Sequence, residues 1–91
     1  MAMEGFDVQV GQQCLTQINT QADAISQAIT ALDGISSQLT SPAVWAGTDS
    51  QQFDANYQTI KSQLTNAHTA LVDHATKLQS EITQQTDASA T

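Results

Sequence analysis

Catalysis in a small chain would have to come from histidine, cysteine or paired carboxylates held within reach of a nucleophile. Such groups are sparse here. His68 and His74 lie six positions apart. On one helix that places them about 120° from each other, whereas a helical metal pair needs i,i+4 spacing. His68 sits between Leu64 and Val72, and His74 between Leu71 and Leu78. Both read as residues at the edge of an apolar interface, ahead of a pH-sensitive contact, a ligand or a base. Asp49 and Asp54 could form an acid pair, but carboxylates there suit the positive start of a helix better. Cys14 is the only cysteine. It allows no internal disulfide and no cysteine-based metal site, and it reads as a small, partly buried apolar residue. Gly5, Gly11, Gly34 and Gly47 are scattered, so no glycine-rich loop is present to cradle a phosphate. The expectation is a protein with no catalytic residue, no cofactor and no metal site.

Charge narrows the field further. Two lysines face nine acids, a formal net charge of -7. Nucleic-acid binding needs cations to neutralise phosphates, and anionic membrane surfaces favour the same residues, so both classes are disfavoured. No run of 18 apolar residues occurs, so membrane insertion is not expected. The opening "MAMEGFDVQVGQQ" is acidic and lacks the basic and apolar regions of a conventional signal peptide.

The elements that would position any site are helical. Val8, Gly11, Leu15, Ile18, Ala22, Ile25, Ile29, Leu32, Ser36 and Leu39 follow steps of three and four. The spacing predicts a helix over about 8–40. Asp7 suits its N-cap, and Glu4 adds charge of the right sign. Pro42 bars continuation. A second stripe comprises Phe53, Tyr57, Ile60, Leu64, Ala67, Leu71, Ala75, Leu78 and Ile82, again in steps of four and three. It predicts a helix over about 49–84, started by Thr48 with Gln51 or Asp49 with Gln52 in capping-box spacing. Asp73 and Lys77 form a favourable i,i+4 pair. Residues 85–91, "QTDASAT", lack apolar periodicity and read as a flexible tail. The fold class is all-α: one domain over 1–91, an antiparallel helix-turn-helix hairpin with its turn at 41–48. The predicted hairpin core is Leu15, Ile18, Ala22, Ile25, Ile29, Leu32, Leu39, Phe53, Tyr57, Ile60, Leu64, Leu71, Leu78 and Ile82.

A single two-helix seam buries little apolar surface, so a partner is expected. Ala24, Ala28, Ala31 and Ile35 form a second row beside the first stripe, and Val72 widens the second. These five residues are the candidate dimer face, and two hairpins would close a four-helix bundle. Trp45, the only tryptophan, precedes Gly47 in the turn. Its indole suits a plug over the hairpin end, against Leu39, Phe53 and Tyr57. Gly47 would supply a positive φ or room for close approach. Trp45 can also belong to a recognised surface.

Trp45-Ala46-Gly47 between two amphipathic helices, in a chain of this length, resembles the WXG family of small secreted helical hairpins. These are the ESAT-like proteins of type VII (Esx) secretion. The resemblance covers nearly the whole chain, and Trp45 and Gly47 correspond to the family's turn pair. It implies a non-enzymatic secreted protein, or a co-secreted targeting companion, exported folded from the cytoplasm without a cleaved signal. The implied partners are a second copy, a related small hairpin, or the helical N-terminal region of a larger secreted protein, together with the secretion machinery. Roles in virulence or interbacterial competition go with that family. The family's C-terminal pattern, a Tyr followed four positions later by an acid, is missing: Lys77 precedes Glu81 and Thr83 precedes Asp87. That departure favours a companion in a heterodimer. A generic coiled-coil assembly protein, such as a phage or surface structural subunit, is the alternative.

Overall fold

The computed structural model describes residues 5–90 and contains two long helices, α1 (Val8–Leu39) and α2 (Thr48–Ala90). Contacts pair early residues of α1 with late residues of α2, so the two run antiparallel as a helical hairpin. The N-terminal signal reads as expected. Asp7 Oδ1 accepts from the backbone N–H groups of Gln9 and Val10, at 3.0 and 3.1 Å. These are donors that the first helical turn leaves unsatisfied. Glu4 lies outside the described residues.

Threonine is abundant in both helices without breaking them. Thr16, Thr20, Thr30, Thr59 and Thr76 each donate their hydroxyl to the carbonyl four residues earlier. The side chain is thereby satisfied within the helix instead of competing with it.

The chain divides into two compact units, Met1–Asp23 with Thr69–Thr91, and Ala24–His68. In the first, Gly11 faces α2 at a point where a side chain would be crowded. A Cβ there would stand 3.1 Å from the Phe6 ring and 3.4 Å from Ile82. The glycine therefore lets the Phe6 ring and the Ile82 side chain close in. Ala22, Ala75 and Ile82 are buried with it, and Leu15, Ile18, Leu71 and Leu78 are half-buried. In the second unit the buried positions are Ser36, Ser50 and Tyr57, with Ile25, Ile29 and Leu64 half-buried.

Three expectations need correction. The second helix does not stop near residue 84 but continues to Ala90. Gln85 is buried one turn after the buried Ile82, and its Nε2 donates to Glu81 Oε1 at 3.1 Å. The helix face thus continues through a polar residue that apolar periodicity cannot register. Thr91 lies outside the described residues. Cys14 is exposed rather than partly buried. Finally, Leu32, Leu39, Phe53 and Ile60, expected in the core, stand 36–42% exposed. The seam runs instead through Ile29, Asp33 and Ser36 of α1 and Thr40 just beyond its end, which are buried or half-buried. Each helix in a hairpin has one partner and so one covered face, and these four side chains flank it.

Candidate functional site

The turn end of the hairpin carries the most structured set of side chains. Ser41 O accepts from Val44 N and Trp45 N, both at 2.8 Å. Pro42 sits second in that turn, where its fixed φ fits. Gly47 adopts a φ of 106°, a conformation that strains residues with a Cβ. No atom lies within 4 Å of a Cβ built on it, so its role is conformational, not to make room for the indole. α2 then begins at Thr48, with Gly47 as its flanking residue and Asp49 in its first turn. Gln51 N donates to Gly47 O at 3.2 Å, so Gly47 takes the cap position expected of Thr48 or Asp49, and Asp49 places its carboxylate near the positive helix end.

Trp45 is half-buried and packs on Phe53 with ring centroids 5.4 Å apart, tilted at 52°. The expected Trp45–Phe53 contact is therefore present, in the tilted geometry that aromatic pairs prefer.

Behind that pair the helices are latched by polar groups that the sequence pattern did not reveal. Tyr57 Oη donates to Asp33 Oδ1 at 2.7 Å and lies 3.4 Å from the Ile29 carbonyl. Lys61 Nζ donates to Asp33 Oδ2 at 3.0 Å. Each carboxylate oxygen thus has one donor. The Tyr57 and Lys61 hydrogen bonds hold the Asp33 carboxyl below the usual carboxylate range. Burial, followed by the hydrogen bond to Asp33 and then its charge, pushes the Tyr57 phenol up to about 12. The signal that could have found this latch is the Tyr57–Lys61 spacing on one face of α2. It lacked the matching α1 register, which places Asp33 opposite.

Next to the latch lies an open groove of about 220 Å³. Leu32, Ile35, Ser36 and Leu39 form its α1 wall, and Phe53, Asn56, Tyr57 and Ile60 its α2 wall. Ser36 is 6% exposed, and among the described residues its Oγ has no hydrogen-bond partner. Ile35 belongs to the candidate dimer face and is 59% exposed. Ala24, Ala28 and Ala31 of that face are exposed as well. The fifth member, Val72, is exposed in the other unit, where it borders a shallow hollow with Leu15, Asn19 and Ala75.

His68 is half-buried and His74 exposed. Asp73 and Lys77 form the expected pair at 3.7 Å, both well exposed. Among the described residues no cluster of three His, Cys, Asp or Glu side chains could hold a metal ion, and no helix is long and apolar enough to cross a membrane. No family model matches this chain, and no curated protein or solved structure is significantly similar to it.

Proposed function

We propose that this chain is a non-enzymatic secreted hairpin, or a co-secreted targeting companion, of a type VII secretion system. It works by pairing with a second helical hairpin. The observation that carries the pairing is the poverty of the core. Among the described residues the buried hydrophobics are Ala22, Tyr57, Ala75 and Ile82, and no large side chain is fully buried.

The secretory part of the reading draws on the Trp45-Ala46-Gly47 turn. A positive-φ glycine reverses the chain, and the indole packs onto the first turns of α2. Pairing through helix faces explains why the large apolar residues lie along helices rather than in a closed pocket.

The test is export of the intact chain from cells with and without an active type VII system, beside Trp45→Ala. Export should require the system. The variant should keep its far-UV circular dichroism yet lose near-UV signal and most of its export. Secretion that is indifferent to the system, or a variant with normal packing and normal export, would remove the reading.

A further inference from the structure

The unit Ala24–His68 holds six of the eight exposed large hydrophobics among the described residues: Leu32, Ile35, Leu39, Val44, Phe53 and Ile60. Five of these border the groove beside Tyr57. Apolar walls contributed by two antiparallel helices suit one more helix laid between them.

Charge then selects the occupant. Lys61 and Lys77 are the chain's only lysines or arginines. Both are already engaged, by Asp33 and Asp73. Among the described residues six further acids, Asp7, Asp23, Asp49, Asp54, Glu81 and Asp87, have no lysine partner. One of them, Asp49, is exposed and precedes Phe53, Asn56 and Ile60 by four, seven and eleven positions. That spacing puts it on the same face of α2 as the groove wall. A second copy of this chain would bring the same excess of negative charge and no free lysine.

We infer that this groove binds a helix of a different, basic chain, with an apolar stripe seated between Ile35 and Ile60 and a lysine or arginine opposite Asp49. The inference rests on the reading that the chain works by pairing, and not on its export route.

The probe is a tryptophan-free amphipathic peptide of about 20 residues, long enough to form a marginal helix, with leucine on one face and lysine flanking it. Its twin carries glutamate in place of lysine. Trp45, in tilted contact with the groove residue Phe53, reports binding by fluorescence. The lysine peptide should bind with saturation and at least about tenfold more tightly than its twin at low salt, a gap that shrinks as salt rises. Ile35→Ser with Ile60→Ser should weaken binding at least about tenfold, as expected for the loss of central apolar contacts, with circular dichroism unchanged. Asp49→Asn should narrow the gap between the peptides. Val72→Ser, in the other unit, should leave binding as it was. Equal binding of the twins, or indifference to the Ile35 and Ile60 changes, overturns the inference. Sedimentation velocity of the chain alone separates the remaining failures. A homodimer dispersed by Ile35→Ser with Ile60→Ser overturns the basic partner but keeps pairing. A monomer that binds neither peptide overturns both.

Discussion

In the unit that holds both helix ends, the buried positions are Gly11, Ala22, Ala75 and Ile82, with Gln85 as the polar exception. In the unit that holds the turn they are Ser36, Ser50 and Tyr57. The first closes by fitting small residues against large ones, with Phe6 and Ile82 packed at the site of a missing side chain. The second is tied by hydrogen bonds to one carboxylate, and Leu32, Ile35, Leu39, Val44, Phe53 and Ile60 are exposed beside its half-buried Ile25, Ile29 and Leu64. The two solutions leave different surfaces. Small residues allow the helices to close and use up the apolar face. A polar latch aligns the helices but leaves Leu32, Ile35, Phe53 and Ile60 beside the seam, open to a third element. The turn-side unit is therefore where a partner has most to offer.

The largest expected effect separates the two units through one residue type. Ile82→Ala deletes a side chain that is 2% exposed and should cost about 3 kcal/mol. Ile60→Ala deletes one that is 42% exposed and should cost the isolated chain less than about 1 kcal/mol, since little burial is lost. Urea unfolding of both variants measures this. Equal costs would erase the contrast between a closed and an open unit.

A middle-sized effect belongs to the turn. Gly47→Ala forces a Cβ into a φ of 106° and should cost about 1–2 kcal/mol. It should also disturb the Trp45–Phe53 contact, seen as a change in tryptophan emission. An unchanged melting midpoint would show that the turn can reverse another way.

The gentlest test changes no residue. The chain has one tyrosine, so phenolate absorbance follows Tyr57 by itself. In the folded protein it should titrate near 12 instead of at its ordinary 10.0. The sign of the linkage follows. The phenol binds its proton more tightly when folded, so its contribution to stability is complete below pH 10 and fades as pH rises toward 12. Asp33 acts in the opposite range. Its lowered carboxyl contributes above the ordinary value of 3.8 and is lost as pH falls through the folded value. An ordinary tyrosine titration in a chain that remains helical would mean the latch is open in solution and the turn-side unit has no tie of its own.

Much of the fold was legible in the residues. Steps of three and four place two helices, Asp7 caps the first, Pro42 ends it, and Gly47 supplies the positive φ its position in the turn suggested. The reading failed where the hairpin departs from apolar periodicity. Gln85 extends α2 because it is buried and bonded, although its type marks a tail. Asp33, Ser36 and Thr40 occupy the seam that Leu32 and Leu39 were expected to fill. Cys14 is exposed because the covered face of α1 passes beside it.

What the sequence determined by itself is local: helix, turn and cap follow from backbone preferences and from hydrogen bonds that span a few residues. Only the tertiary structure decided which side of each apolar stripe is covered. A stripe nearly half a helix wide can rotate by one position and still bury something. The covered side is the one on which Asp33 meets Tyr57 and Lys61 across two dozen or more positions of chain, a register that no local preference encodes, with Ser36 buried and Leu32, Ile35 and Leu39 exposed.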